Sequence, residues 1–368
     1  MLPEPPRHLV RYRPDLEQPD ADEGRTGEGL REQVLKIAET TWRHGGHAQR
    51  GVHAKSHGLL NAQMIVDPNL PVVLRQGMFS AGGRYLVIMR FSTTPGDILP
   101  DTVSTPRGLA LKVFGVTGDR LQGDSGATQD FVLVNGKSFA TPDAKRFLAS
   151  LKALAASADK AEGLKKLVSA ALRGGERFAE ALGHESPTLK VLGGQPQTPI
   201  LADHFFSQAP IRYGEYVAKV GVFPVSRELT ELTGKPLKVD HRHPNALRQS
   251  VIDFFERQGG EWELRIQLCA DLDSMPIEDA SKVWPEEASP YVTVARIVAP
   301  RQRAWSQARA ESDEALSFSP WHGLIAHQPL GSIMRLRKAV YEASADFRRE
   351  RNHLIAEEPR SFSPLADT

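Results

Sequence analysis

The segment EWELRIQL, from Glu261 to Leu268, alternates strictly: Trp262, Leu264, Ile266 and Leu268 against Glu261, Glu263, Arg265 and Gln267. Successive side chains of an extended strand point to opposite faces, so this period of two predicts a half-buried strand of an antiparallel sheet. Three more short segments rich in Val, Leu and Ile read as strands, each bounded by Gly, Pro or Asp: YLVIMRFS (85–92), RGLALKVFGV (107–116) and YVTVARIVAP (291–300). Arg90 and Lys112 fall inside the first two. Between the two groups, Thr141-Pro142 is a helix start. Phe147, Leu151 and Leu154 then recur at spacings of four and three, and a second helical stretch covers Glu162 to Leu172. Strands, a helical insertion over about 141–187, then strands again predict an α+β fold, an antiparallel barrel or sandwich with helices packed outside it.

Residues 1 to about 25 are rich in proline and charge and read as an extended arm; 26–368 read as one domain, with no repeat and no linker. From Leu30, Val34, Ile37, Ala38 and Thr41 recur at helical spacing and Gly45-Gly46 supply a stop. That helix leads into RGVHAKSH (50–57), where His53 and His57 stand four apart. The residues alone allow a helical metal pair, an acid–base site or two polar loop residues.

The last element, SIMRLRKAVYEASADFRRERNH (332–353), has no Gly or Pro. At roughly 100° per residue, Arg337, Tyr341 and Arg348 share one face. An unperturbed phenol titrates near pH ~10, and a guanidinium one turn away favours the phenolate, a hard, electron-donating axial ligand for haem iron. The bland alternative is a surface helix whose arginines pair with Glu342, Asp346 or Glu350. DHRH (240–243) places two histidines on one side of a strand, but Pro244 and Asn245 follow and make it a turn.

Bulk properties exclude more than they assign. Lys plus Arg (46) and Asp plus Glu (45) cancel, so no global field draws the chain to nucleic acid or acidic lipid. A single cysteine, Cys269, excludes an internal disulfide and fits a reducing compartment; its strand setting makes it inert core. With no apolar run long enough for a signal or a membrane span, the expected location is cytoplasmic.

Six motifs in order, over roughly residues 45 to 353, resemble the haem-dependent catalase family. They are RGVHAK (50–55), RFS (90–92), DTVSTPRGLALK (101–112), SKVWP (281–285), FSP (318–320) and RKAVY (337–341). The resemblance implies a catalase-like antiparallel barrel of about eight strands with haem b between the barrel and the last helix. It makes Tyr341 the iron ligand, Arg337 its partner, and Arg50, Arg90 and Arg348 the holders of the haem propionates. His53 becomes the distal acid–base, Ser92 its orienting partner, Phe139 a ring against the porphyrin and Phe131 a pocket wall. His57 stands where relatives carry a small residue.

The departures from the family pattern matter too. No asparagine stands where the family has its distal one: Gly126 occupies the place without a gap and Asp124 with one, and Thr128 and Gln129 are the polar neighbours. Thr105 replaces the acidic residue of the access channel. The chain ends shortly after the last helix, which implies a small branch, monomer or homodimer. The expected activity is therefore a peroxidase reducing hydrogen peroxide or organic hydroperoxides with a small organic electron donor, with weak catalase turnover. The alternatives are a fatty-acid hydroperoxide isomerase or dehydratase of the allene oxide synthase type and a non-enzymatic haem-binding or sensing protein.

Overall fold

The computed structural model describes residues 3–158, 197–354 and 358–365. The expected helix over 162–172, with the rest of the insertion beyond 158, lies outside them. Nine strands form one sheet: β1 (Ser56–Val66), β2 (Gly83–Thr93), β3 (Arg107–Phe114), β4 (Thr128–Val134), β5 (Phe205–Phe206), β6 (Ile211–Tyr213), β7 (Tyr216–Pro224), β8 (Gly260–Leu268) and β9 (Val292–Ala299). All the ladders are antiparallel. The order is β5-β4-β3-β2-β1-β9-β8-β7-β6, and β5 also pairs with β7, so eight strands close into a barrel and β6 hangs on β7 as a hairpin. Closure leaves the barrel no free edge.

Six helices surround it among the described residues: α1 (Glu23–Gly45), α2 (Ala144–Ala158), α3 (Arg227–Thr230), α4 (Ala246–Phe255), α5 (Gln307–Ala315) and α6 (Ser332–Arg351). None is long and apolar enough to cross a membrane. The alternation of EWELRIQL is realised in β8: Trp262, Leu264 and Ile266 are fully buried in the barrel, where Trp262 lies beside Phe91 and Phe255. Strands β1, β4, β5, β6 and β7 add to the four read from the sequence. In β7 (YVAKVGVFP) every residue after Tyr216 is buried, because both faces are covered, and a strand without a wet face loses its alternation.

The register of β2, β3 and β4 orders the outer barrel face. Directly paired residues share a face. Three rows follow, namely Ser92/Gly108/Val134, Arg90/Ala110/Val132 and Ile88/Lys112/Asp130. Phe131 has the opposite parity and packs inside the barrel against Phe79 and His327, which removes it from the pocket-wall role expected of it.

Helix α1 lies alongside α6 and starts at Glu23, earlier than its apolar repeat from Leu30. The chain before α1 runs along the barrel: Val10 donates its N–H to Cys269 O and Tyr12 to Glu215 O. Glu17 and Glu23 then clasp Arg335 of α6 at 2.6 and 2.7 Å. Cys269 is fully buried, and burial pushes its thiol up to about 12, so it is chemically quiet.

Candidate functional site

A cleft opens between the outer face of the barrel and α6. Arg50, His53, Arg90, Ser92, Tyr341 and Arg348 all line it, so six of the nine residues given site roles from the sequence meet around one space although they come from opposite ends of the chain. Arg337 touches the site through Tyr341. Phe139 does not line the cleft; its ring packs edge-on against Phe147 of α2 with centroids 5.1 Å apart.

The segment carrying His53 is locked on both sides. His53 donates its backbone N–H to Thr94 O (2.8 Å) and Ala54 to Pro95 O (3.0 Å). Two residues on, the buried Lys55 ammonium donates to Asp101 Oδ1 (2.6 Å), Leu99 O (2.7 Å) and Pro244 O (2.8 Å). A buried ammonium has three protons to place, and here each finds an oxygen. His53 has φ 56°, in the left-handed region that is strained for a residue with a side chain, so its surroundings hold it there. Its ring lies on Gly108: a Cβ there would sit 2.5 Å from His53 Cε1 and Nδ1. Nδ1 is 3.1 Å from Ser92 Oγ, which fixes the ring and leaves Nε2 as the working nitrogen. Burial, then the guanidiniums of Arg90, Arg337 and Arg50, pull the imidazole down to about 3, so near neutral pH it is an uncharged base.

His57, the other half of the pair, is fully buried, with Nε2 3.3 Å from Thr93 Oγ1. Burial holds it neutral, as it does His327, which is pulled to about 3. The unfolded chain takes up protons near pH 6.5 that these three rings refuse, so the stability they contribute is present above that pH and is lost as pH falls. Each neutral ring can cost up to ~1.36 kcal/mol per pH unit, so about 2 to 4 kcal/mol should be lost per unit between pH 6 and pH 5. Equal urea midpoints at pH 7.5 and pH 5 would refute neutral buried histidines.

Three guanidiniums converge on the end of α5. Arg90 donates Nε to Asp313 Oδ1 at 2.5 Å. Arg50 donates Nη2 to the same carboxylate oxygen (3.2 Å), to Asp313 O (2.5 Å) and to Leu316 O (3.0 Å). Arg348 donates Nη1 to Glu314 O at 2.8 Å, while its buried Nε has no hydrogen-bond partner among the described residues. The last carbonyls of a helix have no intrahelical donor, and they carry the negative end of its dipole. Three positive charges, with Arg90 and Arg348 buried and Arg50 partly so, nevertheless converge on the Asp313 carboxylate. Burial and mutual repulsion push Arg50 well below the usual guanidinium range and Arg348 to about 10. Asp313 is held low by Arg90 and Arg50, against a burial effect that raises it. A site with this charge excess is built for an anion.

On α6, Arg337 donates Nη2 to Tyr341 Oη at 2.6 Å, the one-turn contact expected from their spacing. The rest of the cleft wall is mostly apolar, with Val34, Val52, Ala110, Val132 and Val340, and Ser317 and Ser344 are its polar members. A phenol oxygen, an apolar slot and paired guanidiniums with an orphaned N–H fit a flat apolar group bearing carboxylates, as haem does.

None of the polar candidates for the missing asparagine reaches the cleft. Asp124 accepts from Gly323 N–H, Gln129 from Leu324 N–H and Thr128 from Lys112, and none of the three lines the cleft. Asp130, His322 and Glu358 lie close enough for a metal, but the Lys112 ammonium already sits among them, 2.9 Å from Asp130 and bonded to Glu358. The Asp240–His243 stretch is an exposed turn closed by its own Asp–His contact. Sequence reading missed Asp313, whose arginine partners lie 223 and 263 positions away. It also missed the contact that makes Gly108 necessary.

This barrel with an outer cleft and a covering helix is the catalase fold. Similar solved structures include catalase A from Saccharomyces cerevisiae (19% identity, TM-score 0.58, covering 86% of this chain and 64% of that one). A fungal catalase (18%, 0.56, 86% and 62%) and a bacterial catalase (18%, 0.58, 88% and 60%) are also similar. The chain therefore spans less than two thirds of the length of these catalases. No family model and no curated protein sequence matches it.

Proposed function

We propose that the cleft holds haem b and that the protein is a peroxidase, reducing hydrogen peroxide or an organic hydroperoxide with a small organic electron donor. The carrying observation is one cleft lined by a neutral base, His53, by the Arg337-bonded Tyr341 oxygen and by three guanidiniums, two of which share the Asp313 carboxylate. Tyr341 is assigned as the iron ligand, and Arg50, Arg90 and Arg348 as the partners of the propionates. Bound haem would supply the redox chemistry that cleaves the O–O bond. His53 Nε2 takes the proton from the hydroperoxide and returns it to the leaving oxygen, while Ser92 keeps the ring in one orientation. Two electrons from the donor and two protons complete the conversion of hydroperoxide to alcohol, or water, plus water. A base held near 3 stays ready over the whole neutral range, so loss of activity in acid should follow unfolding rather than titration of His53.

The test is steady oxidation of a dye donor by hydrogen peroxide and by tert-butyl hydroperoxide in haem-loaded protein, measured against free haemin. Rapid turnover of a polyunsaturated fatty-acid hydroperoxide with no donor would assign an isomerase instead. Haem binding with both rates at the haemin level would leave a haem-binding protein.

A further inference from the structure

The α5 end does two things to the arginines: it places them, and it partly neutralises them. Placement comes mainly from backbone. Asp313 O, Leu316 O and Glu314 O hold Arg50 and Arg348 whatever the side chain at 313 carries. Arg90 also reaches backbone, donating Nη2 to Ala54 O at 3.4 Å. Neutralisation rests chiefly on Asp313, the carboxylate in contact with Arg50 and Arg90; Glu314 acts on Arg348 only at longer range, since its carboxylate bonds His47 (2.9 Å) and Asn352 (2.7 Å). The Asp313 Oδ1 atom thus occupies two guanidiniums that a ligand carboxylate would also need.

We infer that Asp313 is an internal competitor for the arginine site, a positioning residue that keeps the empty site assembled and sets how loosely a dicarboxylate cofactor is held. This rests on the assignment of Arg50, Arg90 and Arg348 to the propionates. In the cofactor-free protein Asp313 is, among the described residues, the carboxylate paired with Arg50 and Arg90, and it also attracts Arg348; a buried cation cluster left without it is strongly destabilising. In the loaded protein the same negative charge lies beside two carboxylates and repels them. At an effective dielectric near 20, removing a unit charge a few ångströms away changes affinity on the order of tenfold to a hundredfold. The consequence is a cofactor that can leave and a protein that stays folded when it does.

The experiment measures transfer of haem, and separately of haem dimethyl ester, from the full chain to excess apomyoglobin, for wild type, Asp313→Asn and the control Glu314→Gln. Asparagine keeps the shape and an acceptor oxygen while removing the charge. Haem should leave Asp313→Asn at least about tenfold more slowly than wild type, with the ester and the Glu314→Gln control unchanged. The unloaded Asp313→Asn protein should melt lower, and haem should raise its melting temperature more than it raises that of wild type. If haem leaves Asp313→Asn at the wild-type rate or faster, Asp313 is a scaffold and the inference is overturned. If wild type does not retain haem better than its ester, the propionate assignment itself falls, a failure that the two ligands separate from the first.

Discussion

Tyr341→Phe is expected to abolish the ferric tyrosinate spectrum of the haem-loaded protein and to cut both haem retention and peroxide-dependent donor oxidation by on the order of a hundredfold or more. The substitution removes one oxygen. Tyr341 is only half-buried and among the described residues its hydroxyl bonds Arg337, so the unloaded protein should lose no more than about 1 kcal/mol, the usual worth of one hydrogen bond. A small change in melting temperature beside a complete change in spectrum is thus the signature of a ligand. Arg337→Leu should instead keep a tyrosine-ligated spectrum with altered band positions, because it removes the partner and leaves the ligand. An unaltered spectrum in Tyr341→Phe would refute the assignment.

How much of this was legible in the sequence follows from what each residue depends on. The α6 spacing made the Arg337–Tyr341 contact readable, since residues four apart on a helix meet whatever else the chain does. EWELRIQL was readable because one face of β8 stays wetter than the other. Strand β7 was not, because burial on both faces erased its pattern. Strand β1 did carry a signal, with Leu60, Ala62, Met64 and Val66 alternating against Asn61 and Gln63, and it went unread behind the histidines just before it. Phe131 was misplaced by one residue of parity, which in a strand moves a side chain from the cleft to the barrel interior. Asp313 has no local pattern at all. Its meaning appears only when the closed barrel brings Arg50 and Arg90 to the end of α5.

Gly108→Ala is the second large effect, and it comes from a methyl group rather than from lost chemistry. The new Cβ would lie 2.5 Å from two atoms of the His53 ring and 3.0 Å from Ser92 Oγ. Gly108 sits between β2 and β4, paired with Ser92 on one side and Val134 on the other, so the strand cannot retreat. The ring must therefore move, and His53 already stands at φ 56° with little freedom to absorb the change. Overpacking of this kind costs about 1 to 3 kcal/mol of stability. Losing a positioned general base costs roughly 10²- to 10⁴-fold in rate, so peroxide-dependent turnover should fall far more than stability. Haem retention and the tyrosinate spectrum should survive, since the arginines and Tyr341 are untouched. The decisive comparison is a double-mutant cycle. If Gly108→Ala acts through the ring, adding it to His53→Ala should cost almost nothing further in rate. Additive losses would mean that the methyl group damages the cleft by another route, and His53 would then not be the base that Gly108 makes room for.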